Sequence, residues 1–139
     1  PMVGPDDNYK NDNHTNPAGY RTEGDAFKAW GKENDIWENT FLICGDRHWQ
    51  YHSIDPSGAN EFCCGAFNDR NTRMGRKPGD PGSTDPDGLI QQPYMYPKKT
   101  GGFLMIGVEP GGSVAPPAIK FEFFDDEGTN LYTFSPNEE

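Results

Sequence analysis

Residues 41–48 read FLICGDRH, four apolar side chains followed by a glycine and three polar residues. An apolar run of this length without polar alternation is typical of a β-strand covered on both faces. We therefore predict a central strand over 41–44 and a sharp turn at Gly45, because glycine adopts backbone conformations that other residues avoid. Asp46 and His48 follow the predicted strand directly, and ligands commonly bind where chains leave the carboxyl ends of strands.

Asp46 and His48 are two residues apart, so in an extended segment their side chains project to the same side. A carboxylate with an imidazole is a normal partial ligand set for Zn, Fe or Mn. Arg47 between them offers a planar fork to a phosphate oxygen. The alternative interpretation is an exposed Asp–Arg ion pair beside a solvated histidine. His14, in a loop rich in Asn and Asp, is a further ligand candidate.

The overall composition excludes several classes of protein. The 139 residues carry 22 acidic and 12 basic side chains, for a formal net charge of −10. This acidity disfavours a nucleic-acid scaffold role, which needs a cationic face. No apolar stretch approaches the roughly 20 residues of a membrane helix, so we expect no membrane span. Nine Phe, six Tyr and three Trp supply enough apolar bulk for one modest core.

The patterns around residues 41–44 predict an α/β (α+β) fold that is rich in strands. Thr22 is the predicted N-cap of one clear helix over 22–34. Further strands are predicted at 61–67 and 102–108 and in a C-terminal hairpin of 118–124 with 131–134. Residues 68–100 are rich in Pro, Gly and charged residues, and we expect a long loop there that forms a functional or partner-covered surface.

The cysteines and the last histidine are predicted to be structural. Cys44 and the pair 63–64 are expected to be buried free thiols, since unpaired cysteine usually behaves as a small hydrophobic residue. The alternative is one disulfide from Cys44 to either member of the pair. His52 is expected to pack against Trp49 or Tyr51, or to hydrogen-bond locally.

Several segments, taken in order, resemble the C-terminal part of the PhoD-like family. They are residues 4–6, 11–14, 23–25 and 44–51, and the resemblance covers about residues 1–110. The PhoD-like proteins are alkaline phosphatase D-type members of the calcineurin-like metallophosphoesterases. The resemblance implies a sandwich of two mixed sheets flanked by helices, with metal ions at the strand ends.

The same resemblance implies roles for individual residues. The superfamily usually carries Gly-His-x-His at this point, with both imidazoles on metal, and PhoD-like members carry Gly-Asp-x-His, matched here by Gly45, Asp46 and His48. Asp46 and His48 are therefore expected to bind metal. His14 is the nearest imidazole in the upstream loop, where it would bind metal or contact substrate. Arg47 or His14 would stabilise charge on the transferred phosphate.

The expected activity is metal-dependent hydrolysis of phosphomonoesters or phosphodiesters with Fe, Zn, Mn or Ca as the cofactor. The earlier superfamily motifs do not occur in this sequence, so we expect residues 1–139 to form a single partial domain. An N-terminal half or companion fragment would complete the site, and the chain alone would be a negligible catalyst. The resemblance also implies an extracellular or periplasmic location.

A noncatalytic β-rich module that binds calcium or carbohydrate is the alternative function. Its calcium ligands would come from the acidic loop 80–88, which lacks EF-hand spacing and otherwise forms a solvated loop. Its sugar-stacking aromatic residues would lie near Trp49 and in the segment 94–96, although core packing is their commoner use.

Overall fold

The computed structural model describes residues 1–113 and 116–136 of the chain. It is rich in β-structure, with two sheets and one α-helix, as the sequence predicts for an α+β fold. The elements are α1 (Arg21–Glu33), β1 (Phe41–Cys44), β2 (Gln50–Ile54), β3 (Asn60–Cys64), β4 (Gln91–Met95), β5 (Gly102–Glu109), β6 (Ala118–Asp125) and β7 (Asn130–Phe134). A single 3-10 turn, Asp69–Asn71, follows β3 in the described residues.

The first sheet has four strands in the order β1-β3-β2-β4, and the second has three in the order β5-β6-β7. β1 runs parallel to β3, whereas every other pair in the two sheets is antiparallel. The β6–β7 pairing confirms the predicted C-terminal hairpin. The first sheet is therefore mixed, whereas the three strands of the second are all antiparallel, so the expectation of two mixed sheets is met by the first sheet alone.

Aromatic side chains from both sheets form the main core. Phe62 of β3 stacks on Phe121 of β6, with ring centroids 4.0 Å apart and an interplanar angle of 5°. Tyr94 of β4 stacks in the same way on Tyr132 of β7, at 4.7 Å. Because strictly alternating β6 places Phe121 and Phe123 on one face, both rings are fully buried between the sheets.

The helix begins one residue earlier than predicted and without the predicted cap. Tyr20 is the N-cap, its carbonyl accepts the N–H groups of Glu23 and Gly24, and no side chain caps the first turn. Thr22 lies inside the helix, so the predicted Thr22 cap is wrong. The loop before the helix sets this start, because Tyr20 donates its own N–H to the carbonyl of Asn13 at 3.0 Å.

Glycines bring the helix close to its neighbours. A Cβ at Gly31 would lie 2.3 Å from Cζ2 of Trp37, and one at Gly24 would lie 2.6 Å from the carbonyl oxygen of His14. Lys28 adds an ion pair to Asp55 in the β2–β3 turn, with Nζ 2.9 Å from Oδ2. The helix is therefore fixed by close packing and by one largely buried ion pair.

β1 is an edge strand, so the prediction of a central strand is wrong. Its faces are nevertheless partly covered: Phe41 packs against the main core, and Leu42 packs against a second cluster that includes Val3 and Trp37. Ile43 is 55% exposed. A run of apolar residues indicates that both faces of a strand are covered. It does not indicate whether the strand has a hydrogen-bonded neighbour on each side in the sheet.

The other predicted boundaries need three corrections. The strand predicted over 61–67 ends at Cys64. The sequence predicts no strand over 50–54, where the structure has β2. The predicted loop 68–100 contains β4, whose Tyr94 is buried. The sequence gives no strand pattern for β4 because Gln91, Gln92 and Pro93 precede its apolar residues, although an edge position tolerates proline.

All three cysteines are free thiols, so the alternative disulfide is not formed. Cys63 is fully buried, whereas Cys44 and Cys64 are half-buried. In the described residues, no helix has the length and apolar character needed to cross a membrane.

Candidate functional site

The loop after β1 carries three of the four residues predicted to form the site. Asp46 has a φ of 67°, a left-handed conformation that aspartate tolerates better than most residues. The positive φ therefore falls at Asp46 and not at Gly45, where the sequence predicted the sharp turn. The Asp46 side chain is 73% exposed, and its Oδ2 lies 3.3 Å from Nη2 of Arg47.

Arg47 is directed inward, with only 6% of its side chain exposed. Its Nε lies 2.8 Å from Oδ2 of Asp6, and its Nη2 lies 2.9 Å from Oδ1 of Asp12. Asp46 adds the third carboxylate, so the Asp–Arg pair of the alternative interpretation is formed, but its arginine is buried and not exposed. Three carboxylates therefore surround the one guanidinium that was predicted to bind phosphate.

The pKa values of this cluster follow its burial and charges. Burial raises the pKa of Asp6, although Arg47 opposes the increase. The hydrogen bond from Arg47 lowers the pKa of Asp12. Burial acts to lower the pKa of Arg47, but Asp6, Asp12 and Asp46 outweigh it, so the pKa is raised and the guanidinium stays charged.

His48 is held through its backbone and its ring. Its Nδ1 contacts the carbonyl oxygen of Asn71. Its own carbonyl oxygen accepts the N–H of Arg73 at 2.9 Å and the hydroxyl of Tyr96 at 3.1 Å. A carbonyl oxygen only accepts, so this contact places a hydrogen on Nδ1, and in the neutral form of the ring the lone pair then lies on Nε2.

His14 has different neighbours. Its ring lies 5.6 Å from that of Tyr20, and its Nε2 lies 3.7 Å from Oε2 of Glu23 in the first turn of α1. The structure therefore brings Asp46 and Arg47 together with Asp6 and Asp12, and it places His14 on the helix side of the same N-terminal loop. In residues 1–113 and 116–136, no three His, Cys, Asp or Glu side chains form a group that could hold a metal.

The sequence did not reveal the partners that fix this loop. Asp6 and Asp12 belong to the N-terminal loop rich in Asn and Asp, in which Oδ1 of Asn13 and Oδ1 of Asn16 accept the N–H groups of Thr15 and Ala18. Asn71 and Tyr96, separated from His48 by 23 and 48 residues, gave no local signal.

His52 is structural, as predicted, but its partners differ. Its Nε2 lies 2.8 Å from Oδ1 of Asn60, and its Nδ1 lies 3.0 Å from the hydroxyl of Tyr132. The ring stacks on Phe62 at 4.2 Å. Trp49 and Tyr51 were the predicted packing partners, yet successive side chains of one strand point to opposite faces, so residue 51 cannot share the face of residue 52.

The aromatic residues assigned to sugar stacking lie in the core. Trp49, Tyr94 and Tyr96 are all buried, and Tyr96 has no exposed surface. The prediction that they could stack on carbohydrate is therefore wrong, because their ring faces contact other core side chains. The hydroxyls of Tyr94 and Tyr96 bond within the fold, to Oε1 of Gln50 and to the carbonyl of His48.

The carboxylates of the predicted calcium loop are used within the protein. Asp80 accepts the N–H of Gly82 at 2.7 Å and contacts Arg76 at 3.4 Å. Asp85 accepts the N–H groups of Leu89 and Ile90, both at 3.0 Å. These contacts shape the loop and involve two of its three carboxylates, whereas Asp87 is exposed.

A cavity of about 340 Å³ lies away from the β1 loop. It is bounded by α1, the turn 55–57 and the loop 84–90, and its lining includes none of Asp46, Arg47 and His48. Its charged lining residues include Lys28, which is already paired with Asp25 and Asp55.

Comparison with family models, with curated proteins and with solved structures finds no match for this chain. The resemblance to the PhoD-like metallophosphoesterases therefore stays a prediction.

Proposed function

We propose that the loop after β1 supplies two ligands, Asp46 and His48, to the metal centre of a phosphoester hydrolase. The contact between Nδ1 of His48 and the carbonyl of Asn71 is the observation that supports this most. Metal-binding histidines almost always donate their second ring N–H to a carbonyl or carboxylate, which fixes the ring and makes the free nitrogen more basic. Nε2 of His48 is the nitrogen left free here.

The state of Asp46 fits the same role. Its carboxylate is mostly exposed, and Arg47 at 3.3 Å is its ion-pair partner. A left-handed backbone at a residue other than glycine costs free energy, and such residues cluster at functional sites. Arg47 thus orients the proposed ligand while Asp6 and Asp12 hold Arg47 in place.

The substrate class follows from the chemistry of such a centre. Metal ions held there would polarise a phosphoryl oxygen and lower the pKa of water. A chain with a net charge of −10 repels anions, so a cationic centre is needed to bind a phosphomonoester or phosphodiester. Asp46 and His48 are fewer ligands than such a centre requires, and a companion segment would supply the others.

The predictions for His14, Arg47, the metal and the cellular location are supported to different degrees. His14 is half-exposed and its Nε2 contacts an exposed carboxylate, so it can reach substrate or metal, whereas Arg47 would have to leave its carboxylates to bind phosphate. We therefore assign Arg47 to positioning Asp46. The location outside the cytoplasm, and Fe, Zn, Mn or Ca as the metal, belong to the proposal through the family resemblance alone.

Metal binding by the purified chain tests the proposal. Calorimetric titration with Zn²⁺ and Mn²⁺ is expected to show one site that is lost in both Asp46→Asn and His48→Gln. Asp87→Asn removes an exposed carboxylate of the loop 80–88 and is expected to bind metal like the wild type. Equal affinity in the wild type and both site variants, or loss in Asp87→Asn alone, would contradict the proposal.

A further inference from the structure

The segment after β3 forms a support for His48. The 3-10 turn Asp69–Asn71 presents the carbonyl of Asn71 to Nδ1 of the imidazole. Two residues later, Arg73 donates its N–H to the carbonyl of His48 at 2.9 Å. Backbone groups on one short segment therefore contact both the ring and the main chain of the same histidine.

Tyr96 connects this segment to the core. Its side chain is completely buried, and its N–H donates to the carbonyl of Gln50 at 3.3 Å next to the β2–β4 pairing. Its hydroxyl lies 3.1 Å from the carbonyl oxygen of His48 and also contacts that of Arg73. Burial raises the pKa of Tyr96 to about 12, so the hydroxyl keeps the hydrogen that these two carbonyls share.

The far side of the turn is also fixed. Oδ1 of Asp69 accepts the N–H of Gly101 at 2.6 Å, and a Cβ at Gly101 would lie 2.5 Å from Cα of Asn68. Gly102 then begins β5 and donates its N–H to the carbonyl of Ala66 at 3.0 Å. The turn is thus held between β5 on one side and Tyr96 on the other, and Asn71 lies at its end.

We propose that Tyr96 is a positioning residue that, through Arg73 and Asn71, keeps the hydrogen of the His48 imidazole on Nδ1 and its lone pair on Nε2. The assignment of Nε2 as a metal-binding atom rests on the proposed function, whereas the control of the imidazole by Tyr96 does not. Without the hydroxyl, the carbonyls of His48 and Arg73 lose their shared donor, the turn shifts, and the carbonyl of Asn71 no longer selects one tautomer.

The test compares Tyr96→Phe with Tyr94→Phe. Both variants remove one buried hydroxyl from neighbouring positions, but the hydroxyl of Tyr94 donates to Oε1 of Gln50 at 3.0 Å and does not contact the His48 segment. Long-range ¹⁵N–¹H spectra of the metal-free protein at about pH 8, where imidazole is neutral, report the tautomer. The His48 signals are assigned by their loss in His48→Gln.

Wild type and Tyr94→Phe are expected to show the tautomer with hydrogen on Nδ1, and Tyr96→Phe is expected to show a mixture. The Zn²⁺ dissociation constant is expected to rise about tenfold in Tyr96→Phe and to stay unchanged in Tyr94→Phe, the usual effect of losing a group that supports a metal ligand. An unchanged tautomer in Tyr96→Phe would overturn the proposal, as would the same change in Tyr94→Phe.

Two further outcomes of these experiments can be told apart: a Tyr96→Phe variant that does not fold, and a wild type that binds no Zn²⁺. If Tyr96→Phe does not fold, the wild-type spectrum still decides, because a hydrogen on Nε2 of His48 in the wild type would overturn the proposal. If the wild type binds no Zn²⁺, the proposed function fails while the tautomer spectra still decide the role of Tyr96.

Discussion

The hydroxyl of Tyr51 on β2 donates a hydrogen bond to Oε1 of Glu61 on β3, at 2.7 Å and without solvent contact. Burial raises the pKa of Tyr51 well above its ordinary value, so the phenol remains a donor. The same carboxylate accepts the N–H groups of Met2, Val3 and Gly4, at 2.5, 3.0 and 3.0 Å. One buried carboxylate therefore attaches the N-terminal segment to the centre of the first sheet.

Replacing this carboxylate by an amide is expected to weaken the attachment. Glu61→Gln keeps the size of the side chain but turns one acceptor into an N–H donor that faces other donors. We expect a loss of about 2–3 kcal/mol in the free energy of unfolding, measured by urea denaturation, because buried charge-assisted hydrogen bonds are lost. Glu109→Gln changes an exposed glutamate of β5 and is expected to cost less than about 0.5 kcal/mol. Equal stability of the two variants would contradict this role of Glu61.

Lys28 allows a buried and an exposed carboxylate to be compared directly. Its Nζ lies 2.9 Å from Asp55, whose side chain is 12% exposed, and 3.2 Å from Asp25, whose side chain is 53% exposed. We expect Asp55→Asn to cost about 1–3 kcal/mol and Asp25→Asn less than about 1 kcal/mol in unfolding free energy. The reverse order would refute the assignment of helix docking to Asp55.

The Asp55 contribution also has a defined pH dependence. Burial acts to raise the pKa of Asp55, but the hydrogen bond from Lys28 and those from Ser57 outweigh it, so the folded-state pKa is lowered. Stability from this group is therefore present above the unfolded value of 3.8 and is lost as the pH falls through the folded pKa. We expect the difference in unfolding free energy between wild type and Asp55→Asn to shrink below about pH 4. A difference that stays constant through this range would be the contrary result.

His52 predicts a second pH effect at higher pH. Burial lowers the pKa of His52 below 6.5, although the hydrogen bond with Asn60 opposes the decrease. The unfolded chain then binds more protons, so the contribution of His52 is complete above about pH 6.5 and is lost as the pH falls through the folded pKa. His52→Gln is expected to flatten the fall in unfolding free energy just below this pH. Asn130→Ala, an exposed change in the β6–β7 hairpin, is expected to keep the wild-type slope.

Gly31 tests the close packing of the helix. Alanine there gains helix propensity of about 1 kcal/mol, but its Cβ would meet the buried indole of Trp37 at 2.3 Å. Since the ring has to move, we expect a net loss of about 1–3 kcal/mol in thermal or urea unfolding. Gly107→Ala in β5 places a methyl group where no atom lies within 4 Å and is expected to be nearly neutral. A Gly31→Ala protein as stable as the wild type would show that Trp37 can be displaced without cost.

The sequence predicted those parts of the fold that depend on local pattern. Alternation in residues 118–124 identified β6, and the turn after it identified the hairpin. The helix was recognised from its apolar spacing, but its start was not, because it depends on a bond between Tyr20 and Asn13. The edge position of β1 was also missed, since strand order is a property of the whole sheet.

The candidate site divides in the same way. The motif containing Asp46 and His48 was visible because it is contiguous. The burial of Arg47 was not, because it depends on Asp6 and Asp12, 41 and 35 residues away in the chain. The contacts that support His48 use the backbone carbonyls of Asn71 and His48 and the hydroxyl of Tyr96. Every residue has a backbone carbonyl, so the residue types at these positions do not predict the contacts.

The attachment at Glu61 has a consequence for mutational tolerance at the start of the chain. The three groups that it binds are main-chain amides, so the identity of the side chains at positions 2 and 3 matters little to the contact. Proline is the exception, because it has no amide hydrogen to donate. Gly4, with a φ of 82°, is restricted for a separate reason, since other residues rarely adopt that conformation. The backbone contact therefore tolerates most side chains at position 2, whereas Val3 is also restricted by its burial beside Trp37, and the glutamate cannot be exchanged without loss.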